Sequence, residues 1–410
     1  MSLGAEFESA KHVRMVKPRR EASQESWPVP SLTCKPRLWL GAPSPFGLAL
    51  PNATPSASQL YGPRGVWIDD ERVIVADSGN HRVLIWQGVP DEDHASADVV
   101  LGQPTFSSEG PAAGGLGPRR GLFLPTSVLV MGGRLVVADA WHHRILVWNT
   151  IPRCSYESPD YVIGQDDLDS VEVNRGRTPS ADTLYWPYGI AWVGDRFYVA
   201  DTGNRRMLVW NGFPSQDRPA DFVIGQSAFS ENEENRGAEP SPRSFRWIHA
   251  IAGDAHTIWG ADAGNHRILG WRQSLDADRD ADWVLGQRDF ASSVERPYEE
   301  QGPDRLRFPY GIALWKNCLA VADTANNRIL FWRVPPKERQ GSAAWEVLGQ
   351  IDFGGNGENR WIRVSESTVC WPYGICFFDG MLAIADSGNN RVMLWDCRSL
   401  GEGSSSLKGE

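Results

Sequence analysis

Two sets of residues in this sequence have the types and the spacing for chemistry. The first is an Asp followed five residues later by an Arg: Asp77 with Arg82, then Asp139, Asp201, Asp262, Asp323 and Asp386 with Arg144, Arg206, Arg267, Arg328 and Arg391. A carboxylate beside a guanidinium can transfer protons or form an ion pair. Sixfold recurrence favours structure, because one active site does not need six copies. The Asp is expected to cap the turn that follows it and to pair with the Arg across that turn. The second set lies 13 residues before each Asp: Arg64, Thr126, Tyr188, His249, Tyr310 and Tyr373. Three phenols, an imidazole and a guanidinium could hydrogen-bond a small ligand. The Tyr of a Pro-Tyr-Gly start could equally just cap a strand, and both readings stay open here.

These residues recur because the chain repeats. Measured between successive Asp residues, the steps are 62, 62, 61, 61 and 63, and a period this regular points to a repeat architecture. In the first copy, Val73 to Ala76 and Val83 to Trp86 are apolar runs flanking Asp77-Ser78-Gly79-Asn80. That is a hairpin, with Gly79 able to take positive φ in the turn. Neither run alternates between apolar and polar residues, so both faces of the hairpin should be covered. A further strand, Gly65 to Ile68, precedes the hairpin. A Val-Leu-Gly-Gln-like strand follows it, with the Gln 16 to 18 residues after the hairpin Trp: Gln103, Gln165, Gln226, Gln287 and Gln350.

Each repeat therefore holds four short strands, A to D, but only five D strands follow a C strand. Leu38-Trp39-Leu40-Gly41-Ala42, with Phe46 beyond it, imitates the missing one. An N-terminal strand that completes the C-terminal unit closes a ring without raw sheet edges. The expected fold is all-β: a closed six-bladed β-propeller with four antiparallel strands per blade. Residues 1–34 are expected to be a partly flexible tail, 35–397 the propeller and 398–410 a disordered end.

The turns Asp77-Ser78-Gly79-Asn80-His81-Arg82 and Asp262-Ala263-Gly264-Asn265-His266-Arg267 resemble the Asn-His-Leu (NHL) repeat signature. The resemblance covers roughly residues 35 to 397, and it implies a propeller that serves as a scaffold, an RNA binder or a lyase. The peptide-amidating lyase, similar in fold, uses a metal held by several axial histidines, and lactonase-like propellers use axial carboxylates and Asn. Here His249 is the one axial histidine, and no Asp or Glu joins the ring. One imidazole does not make a zinc site, so neither a metal nor a cofactor is expected. His81, His143 and His266 are read as loop packing, a blade or more apart.

The net charge of −10 disfavours nonspecific binding to nucleic acid. Residues 1 to 34 hold no apolar run for a signal or membrane span, so a cytoplasmic protein is expected. The six cysteines show no metal-finger spacing. If the N-terminal strand completes the last blade, Cys34 and Cys397 fall at one corner and could staple the closure, although a cytosol keeps thiols reduced.

The long D-to-A connections, such as Ser107 to Phe123 and Gly354 to Val369, should share one face with the B-to-C turns, and that face is where a partner or ligand is expected. Two departures from the repeat mark it. Trp141 stands where a Gly would serve the turn, and Trp247 precedes Ile248-His249-Ala250, which replaces Pro-Tyr-Gly. Both could be interface anchors or gap fillers. The leading functional expectation is a noncatalytic scaffold or accessory subunit that binds a protein partner through the loop face. A lyase- or hydrolase-type enzyme acting at the axial mouth is the alternative, and single-stranded RNA binding a second.

Overall fold

The apolar runs pair as expected. In the computed structural model, which describes residues 34–42, 53–272, 275–296 and 298–401, Arg72–Asp77 and Arg82–Gln87 form an antiparallel hairpin. Gly65–Ile68 and Val99–Leu101 flank it in a four-stranded sheet. Six such sheets form the six blades of an all-β propeller. Each blade pair encloses an apolar layer. Between blades 1 and 2 it includes Ile74, Val83, Leu101, Val128, Val137 and Trp148, all buried. The Trp that ends each C strand is buried too, and in the first five blades its indole N–H donates to a carbonyl of the corner that follows, as in Trp86 to Ala95 O at 3.0 Å. No helix among the described residues is long and apolar enough to cross a membrane.

The N-terminal strand closes the ring. Lys35–Leu40 pairs antiparallel with Arg391–Asp396, with Leu38 opposite Leu394 and Leu40 opposite Val392. A Cys34–Cys397 disulfide spans the same corner, with its Cα atoms 4.3 Å apart. Phe46, expected beyond this strand, lies outside the described residues, as do residues 1–33. After the last strand Arg398–Gly401 forms a 3-10 turn with Leu400 buried.

Six inner strands surround the axis: Gly65–Ile68, Pro125–Met131, Pro187–Val193, Ile248–Gly253, Pro309–Trp315 and Pro372–Phe378. They approach closely, and the Gly of Pro-x-Gly permits it. A Cβ on Gly189 would sit 2.3 Å from His249 O, and one on Gly311 would sit 2.1 Å from Tyr373 O. In blades 2 to 6 the pairing register shifts just after the first residue of the inner strand, as between Pro187 and Gly189. The skipped residue is therefore a bulge residue, and a bulge re-aims its side chain. Those bulge residues are Thr126, Tyr188, His249, Tyr310 and Tyr373.

The recurring Asp and Arg organise the loop face. In all six blades they form an ion pair with both side chains 0% exposed. Arg82 Nε donates to Asp77 Oδ2 at 2.7 Å, Nη1 to Phe106 O at 2.6 Å, and Nη2 to Ser56 O and Gln59 O at 3.0 and 2.8 Å. One guanidinium thus ties the D-to-A connection before its own blade to the segment after its own D strand, placing those connections and the B-to-C turns on one face. The expected capping role needs correction. Asp77 does not cap the 3-10 turn Ser78–Asn80 through its backbone. It accepts instead from the Tyr61 backbone N–H and from Asn80 Nδ2, at 2.7 and 2.9 Å.

A buried pair is costly to break from one side, because the remaining charge is left unpaired in a dry site. Arg206→Met should therefore lower stability by about 3–5 kcal/mol, the range for such losses. Arg218→Met, at the surface pair Arg218–Asp221, should cost roughly 0–1 kcal/mol. Urea unfolding of the two variants measures the difference, and equal losses would remove the buried pair from its organising role.

Candidate functional site

The bulges bring five of the six expected axial residues together, and Arg64, just ahead of its strand, joins them. The ring centroids of Tyr188 and His249 are 4.3 Å apart, those of His249 and Tyr310 4.5 Å, and those of Tyr310 and Tyr373 4.9 Å. The Arg64 guanidinium sits 5.1 Å from the centre of the Tyr373 ring, and its Nη1 lies 3.5 Å from Tyr188 Oη. Thr126 is the exception in chemistry: its hydroxyl donates to the Tyr188 carbonyl at 2.8 Å and is buried. The mouth is thus stoppered by side chains in mutual contact. Beneath them the inner strands enclose an axial cavity of about 210 Å³.

Electrostatics keep this stopper neutral except at Arg64. His249 Nδ1 donates to Trp247 O at 3.1 Å, which leaves Nε2 as the lone-pair nitrogen, and burial lowers the imidazole pKa to about 4. Burial also raises the phenol of Tyr310 to about 12 and drives that of Tyr188 further up. Among the described residues no group of three or more His, Cys, Asp or Glu side chains is arranged to hold a metal ion.

A second ring, not anticipated, surrounds the first. It consists of Gly62, Leu124, Trp186, Trp247, Phe308 and Trp371, each 15 residues before its Asp. The constant offset was present in the sequence, but only Trp247 broke a visible motif and drew notice. Trp186 meets both Tyr188 and His249 edge-on, at 6.0 and 6.3 Å. Trp247 stacks on Phe308 at 6.4 Å and lies under Arg246. Trp141 is 45% exposed and contacts Phe123 and Trp186, so it joins the same aromatic surface. Trp141 therefore faces solvent, whereas Trp247 is half-buried.

Five members of this outer ring have left-handed backbones, Gly62 and the bulkier Leu124, Trp186, Phe308 and Trp371, with φ between 48° and 54°. Bulky residues adopt this region rarely, and something must hold them there. What holds them corrects the reading of the histidines as loop packing. His81 Nδ1 accepts from the Leu124 backbone N–H at 3.1 Å, His143 Nδ1 from Trp186 at 3.1 Å and His266 Nδ1 from Phe308 at 3.2 Å. Asn327 and Asn390 do the same with Oδ1 for Trp371 and Gly62, both at 2.9 Å. Five of the six blades thereby latch the next. Blade 3 carries Arg205 at this place, and the Trp247 backbone N–H accordingly donates to Asp262 Oδ1 instead.

The latch residue itself has a left-handed backbone, as at His81 with φ 54°, a conformation that Asn and His tolerate better than most. Gly79 was expected to supply that positive φ. Its real role is close approach, since a Cβ there would lie 2.5 Å from Tyr61 O. Where Trp141 and Ala325 replace it, the corresponding backbone hydrogen bond lengthens to 3.2 Å, against 2.8 Å at Gly79 and Gly203.

The NHL repeat family matches residues 60–86, the inner strand and hairpin of blade 1 with the turn before them. No curated protein matches the sequence. Among solved structures the chain is similar to virginiamycin B lyase from Staphylococcus aureus, with 12% identity, TM-score 0.42, and 83% of this chain and 97% of that one covered. A Bacteroides thetaiotaomicron protein of unknown function gives 12% identity and TM-score 0.47, with 88% and 75% covered. U3-55K gives 12% identity and TM-score 0.45, with 85% and 83% covered.

A histidine whose Nδ1 accepts a backbone N–H must be neutral there. Burial lowers His143 and His266 to about 4 and lowers His81 as well; Asp139 opposes this and His142 reinforces it at His81 and His143, while at His266 Glu295 and Asp262 oppose it and Arg307 and Arg246 reinforce it. The unfolded chain, with pKa near 6.5, binds more protons than the folded one as pH falls below that value. Stability should therefore be intact above about pH 6.5 and decline toward pH 4. The triple variant His81→Asn, His143→Asn, His266→Asn keeps an acceptor and loses the titration, so its melting temperature should fall less over that window. An unchanged acid response would rule out the latch as its source.

Proposed function

Because the chain is an NHL-repeat β-propeller protein, we propose that it acts as a scaffold or accessory subunit that captures a protein partner on its loop face. One observation carries this reading: an aromatic surface runs outward from the axis and ends in solvent-facing indoles. Trp141 and Trp371 are 45% and 50% exposed, and on the connection before blade 6 Trp361 and Ile362 stand 75% and 76% exposed. Large exposed aromatics held on a rigid frame are the usual anchors of protein interfaces. The buried Asp–Arg pairs supply that rigidity, so the indoles need little reordering on capture.

The site residues fit this reading in two layers. Trp141 and Trp247 belong to the outer contact surface, while Arg64, Tyr188, His249, Tyr310 and Tyr373, with Thr126 beneath, form its floor. A cytoplasmic location is part of the proposal and brings a condition. Reducing surroundings open disulfides, so closure there rests on the pairing of Lys35–Leu40 with Arg391–Asp396.

Trp141→Ala and Trp361→Ala should leave stability within about 0.5 kcal/mol of the parent, as exposed positions do, while lowering retention of a partner on the immobilised chain severalfold. Quantitative mass spectrometry of proteins retained from the native lysate, with thermal melting in parallel, measures both. Retention unchanged in both variants would refute the loop-face reading, and a large fall in melting temperature would return the indoles to the core.

A further inference from the structure

The outer ring is broken in one place. Blades 3 to 6 set Trp186, Trp247, Phe308 and Trp371 over the axial residues, and blade 2 sets Leu124, but blade 1 has Gly62. Without a side chain there, a cleft of about 520 Å³ opens between blades 6, 1 and 2, lined by Tyr61, Gly62, Arg64, Leu124, Trp371 and Tyr373. The gap falls over Arg64, the one cation of the axial ring. From this coincidence we propose that the cleft binds a carboxylate carried on a flat apolar group, either a free aromatic acid or the carboxyl end of a peptide whose last residue is aromatic.

Three observations support the choice. Arg64 has no carboxylate partner among the described residues, whereas the six buried arginines of the hairpins are all paired. Apart from the long contact of Nη1 with Tyr188 Oη, its guanidinium donates to no group among the described residues. It lies over Tyr373, and Nε and Nη2 remain for a two-point contact with a carboxylate.

The surroundings also favour a carboxylate over a phosphate. A dianion would need several donors, but the nearby backbone amides are committed: Gly62 N–H to Asn390 Oδ1, Gly79 N–H to Tyr61 O, Gly388 N–H to Cys370 O and Arg64 N–H to Ala76 O. Ser78 and Ser387 donate their hydroxyls to Pro125 O and Pro63 O. One guanidinium balances one negative charge. The walls set the rest of the ligand, since the aromatic Tyr61 and Trp371 line the cleft and are 49% and 50% exposed. Binding here goes beyond partner capture and does not depend on it.

Isothermal titration of the full chain with phenylacetate, N-acetyl-L-phenylalanine and N-acetyl-L-phenylalanine amide tests the proposal. At least one acid should bind, and the amide should bind at least tenfold more weakly than its acid. Arg64→Gln removes the charge, and Gly62→Trp fills the gap with the residue that stands at the same place in blades 3, 4 and 6. Each variant should weaken acid binding at least tenfold, with near-ultraviolet circular dichroism confirming an unchanged fold. Preference for N-acetylphenylalanine would identify the peptide end, and preference for phenylacetate the free acid; either supports the site. No binding of either acid at 5 to 10 mM (roughly the 1 mM scale of weak ligands), an amide as tight as its acid, or full binding by Arg64→Gln would overturn it.

Discussion

The rest of the structure depends on six ion pairs that water does not reach. Each Asp–Arg pair sits where a hairpin turn meets two long connections, and in blades 1 to 5 each guanidinium spends its remaining donors on carbonyls of those connections, whereas Arg391 uses Nη2 alone. Taking both charges out of water is expensive, and mutual attraction alone rarely repays it. Satisfying the donors with carbonyls is what makes the arrangement tolerable, and it also makes it specific. A connection displaced by an ångström or two would strand a buried charge, so the loop face is held in one arrangement.

A second set of contacts links neighbours around the ring. The residue after the turn, His or Asn in five blades, takes the backbone N–H of the next blade's outer-ring residue and holds it in a left-handed conformation. That conformation turns the side chains of Trp186, Phe308 and Trp371 over the axis. Strain stored in the backbone and aromatic surface displayed at the mouth are thus two sides of one arrangement. Blade 3 shows the converse: with Arg205 in place of His or Asn, Trp247 is not left-handed, and it precedes Ile248 rather than a proline.

The functional face combines a repeated frame with unrepeated side chains. The frame places six equivalent positions around the mouth, and variation among them creates function. Gly62 opens a cleft where other blades close it, Arg64 puts a charge where others put phenols, and Trp141 lifts an indole out of a turn that elsewhere holds Gly or Ala. None of these disturbs the ion pairs beneath, which is why they can vary.

How much was legible in the sequence follows from the same division. The six-bladed, four-stranded architecture, its closure by Leu38 to Gly41, the Asp–Arg pairing and the axial set from Arg64 to Tyr373 could all be read from spacing, because a fixed period in sequence becomes a fixed rotation in space. The outer ring had an equally constant offset but no constant residue type, and it passed unread apart from Trp247. What only the tertiary structure decided were the partners of Asp77 and the contacts between blades: the histidine latches, the stoppered mouth and the cleft at Gly62. The latches join residues 42 to 44 positions apart, or across the closure from Gly62 to Asn390, and local pattern carries no information about which donor there meets which acceptor.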